Sequence, residues 1–242
     1  MSRKFQGRRY WIVGASSGLG AELARRLDAE GARLLLSARR AEKLQDLAAE
    51  LSDAQVLALD VTDAEAVAAA VHEAGEIDGI VYSVGLYDPM SAKEWDADEA
   101  ERMCEANFMG AMRLFGRTVP QMARRGSGHV VLIGSLSGFR GLPGAIGYSA
   151  PKAALLSLAE SLRSDLRGTG VEVQIANPGF IRSRLTEKND FTMPQIMEPA
   201  EAAGHVMRLL HSRRFRHDFP RPFAWLFTCS SLIPYRLWDR IM

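Results

Sequence analysis

The pair Tyr148-x-x-x-Lys152 follows an apolar run, 130–133, that ends in Gly134-Ser135. Residues four apart on a helix share a face, so the Lys152 ammonium can lie beside the Tyr148 phenol. A free tyrosine titrates near ~10, too high for a base at neutral pH. An adjacent cation favours the phenolate and is expected to bring it toward the working range, which makes the pair a proton-transfer device. Ser135, at the end of the preceding strand, is placed to hydrogen-bond an oxygen whose charge changes during reaction. Pro151 is accepted in a first helical turn and breaks a helix interior, so the spacing predicts a helix that starts here, with Tyr148 at its mouth. A bare Tyr-x-x-x-Lys also suits any amphipathic helix, and its surroundings decide between the two.

Those surroundings begin with Gly14-Ala-Ser16-Ser17-Gly18-Leu19-Gly20, which joins a short apolar strand, 10–13, to a helical pattern running to Leu27. Strand, glycine turn and helix in that order form a phosphate cradle: glycines admit the ligand to the backbone, and the helix N-terminus offers unpaired N–H groups. A second strand, 33–38, ends in Ser37-Ala38-Arg39-Arg40, where a dinucleotide fold typically places a carboxylate for the ribose hydroxyls. Two guanidiniums without a carboxylate suit a 2′-phosphate, so NADP (NADPH) is the expected cofactor, ahead of NAD.

The rest of the chain alternates. Helix 42–51, strand 55–59, helix 64–73, strand 77–82, a mostly helical 95–125, the strand before Ser135, strand 171–176 and helix 199–210 predict an α/β fold. Its core is a doubly wound parallel sheet covered by helices on both faces. Ligands of such sheets bind at the carboxyl ends of strands. Those ends carry Asp60-Val61, whose carboxylate can accept from an adenine amino group, and Ser83-Val84-Gly85. They also carry the turn through Pro178, Gly179, Ile181 and Ser183, which could receive a nicotinamide carboxamide. Asn107 and Gly110 inside the 95–125 helix lower its propensity, so a kink is expected there. Residues 186–198, with Phe191, Met193, Met197 and Pro194, read as a flap over an apolar pocket. Leu86, Tyr87, Met90, Phe139, Leu142, Ile146 and Phe180 are expected to line that pocket.

Composition bounds the rest. The chain has 242 residues, 47% hydrophobic and 24% charged, with net charge +1, so it exerts no global pull on nucleic acid. The two cysteines and five histidines show no metal-ligand spacing, and the cysteine usage fits a reducing compartment. The basic N-terminus runs into a strand rather than a signal core, and no apolar run reaches the ~20 residues of a membrane span, so a cytoplasmic location is expected. Residues 213–242 interleave arginines with Phe and Trp. They are expected either to contact a membrane surface peripherally or, as the favoured alternative, to form a last edge strand near 216–219 and a tail packed on the chain itself or a partner subunit.

Taken together, Gly14-x-x-x-Gly18-x-Gly20, Asp60, Gly85, Asn107, Ser135, Tyr148-x-x-x-Lys152 and Pro178-Gly179 resemble the short-chain dehydrogenase/reductase family over about residues 8–212. The resemblance implies one Rossmann-like domain of about seven strands, spanning 1–242 with an extension from 213, acting on a small apolar carbonyl or alcohol as a homodimer or homotetramer. It further implies Tyr148 as acid/base, with Lys152 lowering its pKa and holding the nicotinamide ribose. Ser135 would orient the substrate oxygen, and Asn107 would complete a water-linked proton relay through Lys152. Arg39 resembles the NADP-preferring subgroup. Val13, Tyr82-Ser83-Val84-Gly85 and Ser183 depart from the family pattern. The expected activity is NADPH-dependent interconversion of a ketone and a secondary alcohol. A silent NADP-binding sensor or scaffold is the alternative, and it has no use for an intact Ser135, Tyr148 and Lys152.

Overall fold

The computed structural model describes residues 3–241. The chain runs β1 (Arg9–Val13), α1 (Gly18–Ala29), β2 (Arg33–Ser37), α2 (Ala41–Ala49), β3 (Ala54–Val56), α3 (Ala64–Ala74), β4 (Gly79–Tyr82), α4 (Ala97–Cys104), α5 (Gly110–Arg125), β5 (Gly128–Ile133), α6 (Ile146–Asp165), β6 (Val171–Pro178), α7 (Pro199–Leu210), β7 (Arg216–Phe219), α8 (Phe223–Thr228) and α9 (Tyr235–Ile241). The strands form one seven-stranded sheet in the order β3-β2-β1-β4-β5-β6-β7, and every neighbouring pair is parallel.

Successive side chains of a strand point to opposite faces, so strands buried on both faces are apolar throughout. Ile12, Leu36, Val81 and Val131 pack under Leu23 and Leu27 of α1 and Val206 and Leu210 of α7. Their neighbours Trp11, Leu35, Ile80 and Leu132 pack with Val67 of α3, Leu114 of α5 and Leu155 of α6. The two cores clamp the sheet between helical layers. From β1 the chain first builds outward to β3, then crosses back to β4 on the other side of β1. That reversal opens a crevice between the carboxyl ends of β1 and β4.

Three local expectations change. Residues 57–59 lie outside β3, although Leu57 N–H still donates to Leu36 O at 2.9 Å and Leu59 N–H to Ala38 O at 3.0 Å, so the ladder continues more loosely. Helix α6 starts at Ile146, which puts Pro151 past the first turn; proline removes one N–H there and the surrounding packing tolerates it. The expected kink is a π-helical turn, Glu105–Met109, between α4 and α5, with Asn107 at its centre. Gly110 follows because a Cβ there would come within 2.5 Å of the Tyr82 hydroxyl and 2.7 Å of Val61.

After β7 the tail folds back. Phe227 and Trp238 are buried with Leu136, and Phe139 and Leu142 pack against them, so α8 and α9 cap the loop that follows β5. Among the described residues no helix is long and apolar enough to cross a membrane.

Candidate active site

A cavity of about 1110 Å³ runs along the carboxyl edge of the sheet. Of the residues singled out from the sequence as catalytic or cofactor-binding, all but Asn107 border it.

At one end lies the glycine turn. Gly14 has φ +96°, and a Cβ on it would sit 2.7 Å from the Ser83 carbonyl, so only glycine lets the turn after β1 touch the end of β4. Gly18, at φ +56°, has open space where a side chain would be. Ser17 caps α1 with extended backbone and no side-chain capping bond, and the first turn carries no acidic residue. The positive end of the helix therefore faces the cavity with neither a carboxylate nor a capping hydroxyl on it. Ser16, Leu19 and Gly20 complete this wall. Arg39 and Arg40 stand beside it at the end of β2; Arg40 Nη2 donates to Ser16 Oγ at 3.4 Å. Neither arginine has a carboxylate partner among the described residues. Ser37 is turned inward, accepting from Trp11 Nε1 at 2.8 Å and donating to Leu57 O at 2.6 Å, so it does not serve the cavity. Asp60 Oδ1 accepts from Thr62 N–H at 3.0 Å and from its hydroxyl at 2.8 Å, which fixes the carboxylate beside Val61. A narrow glycine cradle, a free helix N-terminus and unpaired cations fit a dinucleotide.

At mid-cavity Ser135, Tyr148 and Lys152 meet. Ser135 Oγ accepts from the Ser137 hydroxyl at 2.9 Å and from Ser137 N–H at 3.2 Å, and it borders the same part of the cavity as Tyr148. Tyr148 keeps a partly open edge toward the cavity while Tyr87 packs edge-on against its ring at 5.2 Å. Burial pushes the phenol up to about 12, the Ser135 hydroxyl opposing and Tyr87 adding to the shift. Lys152 is buried, and burial lowers its ammonium to about 8. Its Nζ donates to Ile133 O at 3.1 Å and Val84 O at 3.3 Å, and lies 5.6 Å from the Tyr148 ring centre. The expected lowering of the phenol by the lysine is therefore reversed in sign. The ammonium is aimed at strand-end carbonyls, and loss of water around the phenol outweighs it.

Asn107 is buried behind this group. Its Oδ1 accepts from Leu86 N–H at 2.9 Å and its Nδ2 donates to Leu86 O at 2.8 Å. It has no direct bond to Lys152; the two grip the same loop, Lys152 at Val84 and Asn107 at Leu86. Tyr82, one of the departures from the family pattern, donates to Ala106 O at 2.6 Å and ties β4 to the π turn. Beyond β6, Gly179 N–H donates to Phe219 O at 2.7 Å. Ser183 is held in a turn with Thr186, whose hydroxyl accepts from Ser183 N–H at 2.9 Å and donates toward Ile181 O at 2.9 Å. Ile181 also bridges to Met197, which closes the base of the flap.

The far end is apolar. Leu86, Tyr87, Leu142, Phe180 and Phe191 border it as expected, whereas Met90 and Ile146 pack behind Tyr148 and Phe139 packs under the tail. Phe223 and Phe227 of the tail complete this wall. Sequence reasoning missed them because aromatic residues among arginines read as surface. It also missed Ser137 and Thr62, whose only signal is a hydroxyl two residues after Ser135 and Asp60 respectively.

The family described as short chain dehydrogenase matches residues 9–193. The chain is 40% identical to an uncharacterized oxidoreductase of Myxococcus xanthus, with 94% of this chain and 93% of the relative covered. It is 39% identical to an uncharacterized oxidoreductase of Mycobacterium tuberculosis, covering 95% of both. A short-chain dehydrogenase from Streptomyces avermitilis superposes with TM-score 0.85 at 30% identity over 98% of each chain. A short chain dehydrogenase from Burkholderia cenocepacia, solved in complex with NADP, shares the fold with TM-score 0.86 at 24% identity, over 97% of this chain and 96% of that one. The chain belongs to the short-chain dehydrogenase/reductase family of NAD(P)-dependent oxidoreductases.

Proposed function

We propose that the chain is an NADPH-dependent reductase of apolar ketones. One observation carries this reading: Ser135, Tyr148 and Lys152 meet in the middle of a single cavity that ends at a glycine cradle with two unpaired arginines and, opposite, in a pocket of aromatic side chains. NADPH, when bound, supplies the hydride that converts the carbonyl carbon to a secondary alcohol carbon. Everything else falls to the chain. The Ser135 hydroxyl holds the carbonyl oxygen and stabilises charge developing on it. Tyr148, protonated because burial holds its phenol up near about 12, gives its proton to that oxygen. Lys152, still an ammonium below about pH 8, braces the loop after β4 through Val84 and places positive charge next to the reacting groups. Gly14, Gly18, Gly20 and the α1 N-terminus hold the diphosphate. Arg39 and Arg40 hold the 2′-phosphate, Asp60 and Val61 the adenine, and Gly179, Ile181 and Ser183 the nicotinamide end. Leu86, Tyr87, Leu142, Phe180, Phe223 and Phe227 exclude water from the reacting carbonyl and favour an apolar ketone over a polar one.

Steady-state rates with NADPH and NADH across a panel of aryl, alicyclic and short polar ketones test this. The expected result is NADPH oxidation with the apolar ketones. Replacing Arg39 and Arg40 by Ala is expected to lower kcat/KM for NADPH by about 10–100-fold, the loss of charged hydrogen bonds, with little change for NADH. A wild-type preference for NADH, or equal losses for both cofactors, contradicts the assignment of the arginines.

A further inference from the structure

We propose that the outer face of residues 221–241 is a docking surface for a membrane rich in anionic phospholipid. Trp225, Leu232, Tyr235, Leu237 and Ile241 are 54%, 83%, 76%, 50% and 47% exposed, and together they make up most of the large exposed apolar side chains of the described residues. Arg221, Arg236 and Arg240 stand among them against one carboxylate, Asp239. Apolar side chains interleaved with cations are what holds a helix at a charged lipid interface: the former enter the headgroup boundary and the latter meet phosphate.

The face is a fixed platform. Its inner side is anchored by buried Phe227 and Trp238. Arg140 bonds the Ser230 carbonyl and donates to Ile233 O at 2.7 Å. The same guanidinium lies 4.2 Å over the Tyr235 ring and 5.0 Å from the Trp238 ring. A chain held this way pays little ordering entropy on docking. Helices of six and seven residues are far too short to span, so they lie along the interface. A second copy of the chain is a poorer occupant. Two-fold pairing of this face on itself would set arginines against arginines with only Asp239 to answer them. Position adds a reason for the surface to exist: the inner side of α8 supplies Phe223 and Phe227 to the apolar end of the cavity. Docking here would hold the substrate end close to lipid, where an apolar compound concentrates.

Vesicle binding reads the proposal without any turnover, so its failure and a failure of the reductase reading are separate results. The full chain is sedimented with vesicles of phosphatidylglycerol and phosphatidylcholine, or of phosphatidylcholine alone. The wild type is expected to bind the anionic vesicles, and less tightly as salt rises. Arg236→Gln with Arg240→Gln should weaken binding about 30-fold. Leu232→Ser with Leu237→Ser should weaken it at least about tenfold while circular dichroism and melting stay as in wild type. Equal sedimentation with both vesicle types, or binding indifferent to these substitutions, overturns the proposal. So does a wild-type dimer that Leu232→Ser with Leu237→Ser dissociates in the absence of any vesicle binding.

Discussion

A tyrosine that is to donate a proton gains from surroundings that keep the proton on it, and Tyr148 has such surroundings. Burial raises the phenol to about 12, so it stays protonated throughout the neutral range. Lys152 is shifted the other way, to about 8, because its ammonium has lost water without gaining a carboxylate. The two shifts set a pH dependence whose sign is fixed. Below about pH 8 both groups hold their protons; above it Lys152 becomes neutral while Tyr148 is still a phenol. Reductive kcat/KM is therefore expected to be level through neutral pH and to fall as pH rises past about 8. Oxidation of the product alcohol, which needs the phenolate as base, should instead rise toward alkaline pH. Rates in both directions measured in constant-ionic-strength buffers check this, and a reductive rate that climbs from pH 7 to about 10 contradicts it. The identities of Ser135, Tyr148 and Lys152 were legible in the sequence, since spacing on one helix and a strand end are local patterns. The direction of the phenol's shift was not. It depends on Tyr87 and on how completely water is excluded, which only the packed chain defines.

At the scale of elements, the glycine turn and the π turn fix where the end of β4 and the loop after it lie. Gly14 brings the end of β1 against Ser83, and the π turn drops Asn107 into the interior, where both of its polar ends are spent on the Leu86 backbone. The loop after β4 is thus gripped by Asn107 and by Lys152. Asn107→Ala would leave the Leu86 N–H and carbonyl without these partners and is expected to cost about 1–3 kcal/mol of stability. Because the loop borders the cavity, the same change should raise KM and lower kcat together. Urea unfolding with ketone kinetics measures both, and an unchanged unfolding midpoint would contradict the pinning role. A kink near Asn107 was legible from the poor helix propensity of Asn107 and Gly110, but its π form was not, because it is set by contacts with Tyr82 and Val61. The start of α6 and the end of β3 were likewise shifted by packing, which overrode the local signals at Pro151 and residues 57–59.

For the whole molecule, alternating strands and helices sufficed to read a parallel sheet with helices on both faces, and the edge strand at Arg216–Phe219 is the one expected near 216–219 as the favoured alternative for the tail. Where the last residues go was harder. Short helices dock wherever an apolar loop lies open, and no local pattern names Leu136, Phe139 and Leu142 as the receiving site. Their docking turns the tail from an appendage into a wall of the cavity, with Phe223 and Phe227 inside and Trp225, Leu232 and Leu237 outside. The chain thus divides one continuous cavity into a glycine-lined polar end, a centre at Tyr148 and an apolar end, and under the proposed function Tyr148 is the part on which turnover depends. Tyr148→Phe removes the hydroxyl and keeps the ring that packs on Tyr87. With NADPH and the best ketone, this variant is expected to lose about 10²–10⁴-fold in kcat, while NADPH affinity, followed by fluorescence, stays close to wild type. Retention of most of the turnover by Tyr148→Phe would contradict the account.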